Sequence, residues 1–272
     1  MIICDMHTHS DNSFDAKNSV DDMCTSAINK GLYAIAITDH CEAPEIPLGD
    51  ASEYGSFDVL IPKSFKDSKN AQEKYSTKIK VLCGLELGEP MHNLSCTQKA
   101  LKYGDFDFVL ASVHNLRNMA DFYYLDFEKF DINEILNLYF DELAETASFN
   151  DFDSLAHLTY PLRYIKEKTG KIPDLSIYQD KIDNIFNILI MNNKALEINV
   201  SGLYKGFGST LPDEAQIKRY NQLGGKYITI GSDSHNRDDV GKCIKQGIEL
   251  AKNCGFTHYT IFEKRQPIQI EL

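Results

Sequence analysis

Short runs of β-branched and apolar residues alternate along the chain with stretches whose apolar positions recur three and four apart. The first kind reads as strands: IICDM (2–6), YAIAIT (33–38), IKVLCGLE (79–86), FVLASV (108–113), SLAH (154–157), ALEINV (195–200), YITIGS (227–232) and HYTIF (258–262). Several are continuously apolar, the pattern of strands covered on both faces in a parallel sheet. The second kind reads as helices over 20–31, 132–149, 178–193, 212–225 and 239–255. Ser19 is the candidate N-cap of the first helix and Gly31 its stop. Pro212 sits where a first helical turn tolerates proline. The stretch 42–78, with Pro44, Pro47 and Pro62, shows little period. It reads as a long loop with a helix near 63–76, inserted between the second and third strands. Seven or eight strands alternating with helices predict an α/β fold, a parallel barrel either closed or slightly distorted. No repeat, low-complexity tract or Ser/Gly linker interrupts the 272 residues, so a single domain over 1–272 is expected.

Composition narrows the function classes. The hydrophobic fraction of 43% and charged fraction of 25% are those of a soluble globular protein. No apolar run approaches the roughly 20 residues that span a bilayer, and MIICDMH lacks the basic and long apolar regions of a signal peptide. The expected location is cytoplasmic. Cys4, Cys24, Cys41, Cys83, Cys96, Cys243 and Cys254 are odd in number and contain no C-x-x-C, which disfavours a disulfide framework or a cysteine zinc site. A net charge of −12 disfavours nucleic acid and anionic membrane as partners. A small-molecule substrate is expected instead.

The residues that close the strands carry the chemical signal. The first run ends into His7 and His9, the second into Asp39 and His40, and the third at Glu86. The fourth ends into His114, the fifth at His157, the sixth near Asn199, and the seventh into Asp233 and His235. In a β/α barrel all these positions lie on the C-terminal rim, where such folds build their sites. Residues i and i+2 on a strand face the same way, so His7 with His9, and Asp233 with His235, can each grip one cation. A carboxylate closing an apolar strand, as Glu86 does in GLELGE, needs a partner. Glu89 is the neighbouring alternative for a bridging role, but Glu86 is closer to the strand end. His92, which opens a helical pattern, and His258, which opens a strand, read as structural or surface residues.

The order His7-x-His9, Asp15, His40, Glu86, His114, His157, Asp233-x-His235 resembles the polymerase and histidinol phosphatase (PHP) superfamily. The resemblance runs over essentially the whole chain. HLTYPLRY (157–164), SGLYKGFGSTLP (201–212) and GGKYITIGSDSH (224–235) are similar to the stand-alone histidinol-phosphatase branch. The resemblance implies a distorted (β/α)7 TIM-like barrel with metal ions at its mouth. It implies a first metal on His7, His9, Glu86 and Asp233, a second on Glu86, His114 and His157, and a third on Asp15, His40 and His235. Some relatives carry histidine where this chain has Asp15. Two to three divalent ions are expected, and a mixed nitrogen and oxygen set suits zinc, iron or manganese.

The implied activity is hydrolysis of a phosphate monoester, most specifically histidinol phosphate, in histidine biosynthesis. Metal binding lowers the pKa of water from about 15.7 to about 7, so a hydroxide held between two ions can attack phosphorus in line. Glu86, Asp233, His235 and Arg163 are expected to carry catalysis. Arg163 is the first choice for bidentate recognition of phosphate and Arg117 the second. Asp5 and Asp39 are candidate partners for histidine N–H groups. Glu42, Glu45 and Glu53 are expected to form an acidic rim for a cationic substrate. A related enzyme acting on nucleotides or another phosphoester is disfavoured by the acidic balance and by the lack of a basic, aromatic groove. A non-catalytic metal-binding module is disfavoured by the full ligand set.

Overall fold

The computed structural model describes residues 1–42 and 57–272. Its strands are β1 (Cys4–Thr8), β2 (Ala34–Ile37), β3 (His40–Glu42), β4 (Lys80–Gly88), β5 (Phe108–Ser112), β6 (Ser154–Leu155), β7 (Ala195–Asn199), β8 (Ile228–Gly231), β9 (His258–Glu263) and β10 (Gln266–Glu271). Its helices are α1 (Val20–Asn29), α2 (Phe57–Tyr75), α3 (Leu94–Leu101), α4 (Ile132–Phe149), α5 (Pro161–Thr169), α6 (Gln179–Met191), α7 (Ser201–Tyr204), α8 (Glu214–Gln222) and α9 (Ile244–Asn253).

Seven strands run parallel in the order β1-β2-β4-β5-β6-β7-β8, and β3 adds to the far end of β4. The chain just past β8 then meets β1. Asp233 N donates to His7 O and His9 N to Ser234 O, both at 2.8 Å. The sheet thereby nearly closes into the expected barrel, with its joint at the C-terminal rim. The first helix is built as read. Ser19 accepts from Asp22 N, the Asp22 carboxylate accepts from Ser19 N, and the helix buries Val20, Met23, Cys24 and Ala27. No helix among the described residues is long and apolar enough to cross a membrane.

Three of the elements read from the sequence are built differently. The strand at 258–262 is real, but it pairs antiparallel with β10 outside the barrel. The helix expected near 63–76 begins at Phe57 and contains Pro62. Its buried positions include Ile61, Ser64, Ser68, Ala71 and Tyr75. They recur at helical spacing, but the two serines hide the face from a hydrophobic count. Pro212 is not helical. It follows a cis peptide bond, and Asp213 caps α8 by accepting from Gln216 N at 3.1 Å.

Candidate metal centre

All nine predicted ligands arrive at one rim. Glu86, wholly buried at the end of β4, stands at the middle. Its Oε1 lies 3.0 Å from His157 Nε2 and 3.3 Å from His114 Nε2. Its Oε2 lies 3.0 Å from His40 Nδ1, 3.3 Å from His7 Nε2 and 3.5 Å from His9 Nε2. One carboxylate therefore faces five imidazoles from four strand ends, His7 and His9 sharing that of β1. Asp233 Oδ1 lies 3.8 Å from His9 Nε2 and 3.4 Å from His235 Nδ1. Asp15, in the loop after β1, reaches His235 Nε2 at 3.0 Å and His40 Nε2 at 3.7 Å.

Among the described residues, four sets of three ligand atoms are close enough to hold an ion: His9, His40 and His235; His7, His9 and Asp233; His7, Glu86 and His157; and His40, Glu42 and His114. The side chains fit divalent cations. Glu86 Oε2 is buried without a hydrogen-bond donor, although three ring nitrogens surround it. A buried carboxylate in that position requires a positive charge.

The backbone under the site is held by polar side chains that point inward. Glu197 Oε1 lies 2.7 Å from His7 Nδ1, and its Oε2 accepts from His157 N at 2.8 Å. His157 and Asp233 both have positive φ, 21° and 54°, a region that costs non-glycine residues energy and recurs at functional sites. Asp39 accepts from Ser13 Oγ at 2.9 Å, and Ser13 Oγ lies 3.2 Å from His9 Nδ1. Asp39 thus acts on His9 through a serine. Asp5 has a different task from the one expected. It accepts from Ser232 N at 2.8 Å and Gly241 N at 2.7 Å, tying β1 to the chain after β8.

Charge inside the centre is tightly balanced. Burial opposes ionisation of His7, His40 and His114, yet the facing carboxylates hold all three well above the usual imidazole pKa. For His7 the carboxylates are Glu197 and Glu86; Glu86 also faces the other two. Burial drives His9 well down, and the neighbouring imidazoles push the same way. Burial would raise Glu86 and Asp233, but His7 and its companions depress Glu86, and Lys205 and His7 depress Asp233.

A cleft of about 470 Å³ opens onto this centre. Arg163, on α5, lines it and is buried. Its guanidinium donates to Ser201 Oγ at 3.2 Å and Tyr164 OH at 2.8 Å. Lys205 lines it too, donating to Asp233 O at 2.8 Å. Arg117 is engaged elsewhere, 2.7 Å from Glu145 and donating to Met91 O at 3.2 Å. Glu42 is no rim residue, because its Oε1 sits 3.2 Å from both His40 Nδ1 and His114 Nδ1. Glu45 and Glu53 lie outside the described residues. Glu89 binds the backbone N–H groups of His114 and Asn115 rather than bridging the centre. His92 is paired with Glu142 at 2.7 Å, and His258 with Thr257 at 2.9 Å, both away from the cluster.

Sequence reasoning missed Glu197, Lys205 and the inward position of Glu42. The signal for Glu197 was present, since a carboxylate inside the apolar run ALEINV raises the same question as Glu86. Lys205 had none, because a lysine in a loop reads as solvated surface.

Comparison with known proteins agrees with this geometry. The family model described as PHP domain matches residues 5–201. A probable histidinol-phosphatase of Clostridium acetobutylicum is 30% identical, over 97% of this chain and 98% of its own. A histidinol-phosphatase of Lactococcus lactis is 29% identical, over 95% of this chain and 93% of its own. The crystal structure of histidinol phosphate phosphatase from Lactococcus lactis, in complex with zinc, L-histidinol and phosphate, superposes with a TM-score of 0.80 at 26% identity, covering 98% of both chains.

Proposed function

The chain belongs to the PHP domain family, and from that premise we propose that it is a metal-dependent phosphomonoesterase hydrolysing L-histidinol phosphate to L-histidinol and phosphate. The observation that carries the proposal is the meeting of five imidazoles on Glu86, with Arg163 and Lys205 lining the same cleft. The names and the bound histidinol and phosphate of the Lactococcus relative support the choice of substrate. We take residues 1–272 as one catalytic unit. Its seven unpaired thiols suit a reducing cytoplasm.

We assign two to three divalent cations, drawn from zinc, iron and manganese, to this centre. His7, His9, Glu86 and Asp233 would hold the first, Glu86, His114 and His157 the second, and Asp15, His40 and His235 the third. The position of Glu42 between His40 and His114 makes it a further ligand candidate. Such ions, when bound, neutralise charge on the phosphoryl oxygens and acidify water. The chain's own contribution is placement. Arg163 has two of its five N–H donors committed to Ser201 and Tyr164, which fixes the plane of the guanidinium and leaves others for phosphate. Lys205 adds a point charge beside Asp233. Glu86 gathers the imidazoles around itself by attraction to each, so the ligand geometry exists before substrate arrives.

The test is metal content by elemental analysis, taken together with phosphate release from L-histidinol phosphate. Two to three metals per chain and hydrolysis of that ester are expected, with activity abolished in His9→Ala. Metal-replete protein that leaves L-histidinol phosphate intact would refute the substrate assignment.

A further inference from the structure

A second cavity, of about 730 Å³, lies at the end of the barrel opposite the metal centre. Its lining comes from residues 1–3 before β1, 31–33 before β2, 76–81 at the start of β4, and Asp107 before β5. The C-terminal half of α2 and the β9–β10 turn complete it. Leu32, Ile79 and Val81 give it a buried apolar floor, and Tyr33, 47% exposed, lines it beside them. Four lysines, Lys69, Lys78, Lys80 and Lys264, line it against two carboxylates, Asp107 and Glu263. The chain as a whole has the reverse balance, with 28 basic and 40 acidic residues.

The two carboxylates leave most of that positive charge unmatched. Glu263 is taken by Lys80 at 2.7 Å. Asp107 is buried, and its carboxylate already accepts from Cys83 N and Lys264 N, both at 3.0 Å, and from Gln72 Nε2 at 2.5 Å. It lies 4.0 Å from Lys69. Among the described residues no carboxylate oxygen lies within 4.0 Å of Lys78 or Lys264. Three ammonium groups therefore share one concave, partly apolar surface without a close counter-charge. Lys264 is held there against its backbone preference. It and Arg265 form the two-residue turn between β9 and β10, with φ of 51° and 62°, in a turn class that favours Asn and Gly. Asp107 secures both residues, its carboxylate taking Lys264 N and its carbonyl taking Arg265 N at 2.9 Å. Backbone strain of this kind recurs at functional sites.

We infer that this cavity is a binding site for a nucleoside polyphosphate, with its phosphates at Lys69, Lys78 and Lys264 and its base against Tyr33 and the apolar floor. Ammonium groups serve phosphate as mobile point charges and make charge-assisted hydrogen bonds to it. An aromatic side chain stacks on any base, whatever its identity. The volume is that of an ordinary small-ligand pocket, about 300–1,000 Å³. The site is separate from the metal centre, and it stands whether or not the chain hydrolyses L-histidinol phosphate.

The experiment is calorimetric titration of the metal-loaded full chain with ADP. Saturable binding is expected in the wild type, and it should persist in His9→Ala, which dismantles the ligand set at the other end of the barrel. Lys78→Glu combined with Lys264→Glu is expected to weaken ADP about tenfold or more. The Tm of that double variant should stay near wild type, so misfolding cannot mimic the loss. In the His9→Ala background, where the metal centre competes least, ADP should bind more tightly than inorganic pyrophosphate, and Tyr33→Ala should remove that advantage. No saturable binding of ADP, its loss in His9→Ala, or a Kd within twofold of wild type in the double lysine variant overturns the inference. Pyrophosphate bound as tightly as ADP overturns the assignment of a nucleoside.

Discussion

Glu197 supports two parts of the centre at once. One oxygen takes the Nδ1 side of His7, which leaves Nε2 facing the cluster. The other takes the N–H of His157, where the backbone is left-handed. Removing its charge should leave both imidazoles present but less well aimed. Glu197→Gln is therefore expected to weaken affinity for zinc or manganese about 10- to 100-fold, measured by competition with a chelator. Unchanged affinity would reduce Glu197 to a packing residue. Gly231 belongs to the same argument. A Cβ there would lie 2.3 Å from His7 Cβ and 2.4 Å from Glu197 Oε1. Gly231→Ala is expected to lower both thermal stability and metal affinity, since neither neighbour can yield without moving a ligand.

The elements divide the barrel into a chemical end and a structural end. The β9–β10 hairpin is bonded to the latter. Tyr259 donates to Ile2 O at 3.0 Å, Lys80 pairs with Glu263 at 2.7 Å, and Arg265 N donates to Asp107 O at 2.9 Å. All three partners precede or open strands of the barrel. Tyr259 is wholly buried, so Tyr259→Ala is expected to cost about 3–5 kcal/mol by analogy with other large aromatic truncations. Thermal denaturation would show a large fall in Tm, while KM of the surviving enzyme stays near wild type. A changed KM would mean that the hairpin couples to the rim. At this scale the sequence was legible where burial and hydrophobicity coincide, as in α1. It was illegible in α2, where Ser64 is buried with its Oγ donating to Asp39 and Ser68 is buried one turn on, and in β3, whose three residues carry no period to count.

The whole molecule concentrates acids and imidazoles at one rim, and this sets its response to pH. With no metal bound, Glu86, Glu197 and Glu42 keep His7, His40 and His114 protonated above the ordinary imidazole range. A cation must displace those protons. Zinc added at pH 7 is expected to release protons, seen as a dependence of the calorimetric binding enthalpy on the ionisation enthalpy of the buffer. Metal retention should fall as pH is lowered, because protons then compete more strongly for the same nitrogens. An enthalpy independent of buffer would show that the imidazoles are neutral before loading. Chelation should also lower Tm, since a ligand at 100 times its Kd contributes about 2.7 kcal/mol to the folded state.

The linear order of residues determined which side chains close each strand, and the alternation of strands with helices put those closing positions on one rim. Local period and parallel topology suffice for that, so His7, His9, His40, Glu86, His114, His157, Asp233 and His235 could be chosen before any contact was known. Only the tertiary structure decided which atoms face one another. Glu42 moved from rim to cluster, Arg117 went to the carboxylates of α4, and Lys205 and Glu197 gained roles that no spacing announced. The reason is that spacing along an element sets direction within that element alone, whereas a meeting between elements depends on how β1 joins the chain after β8 and closes the barrel.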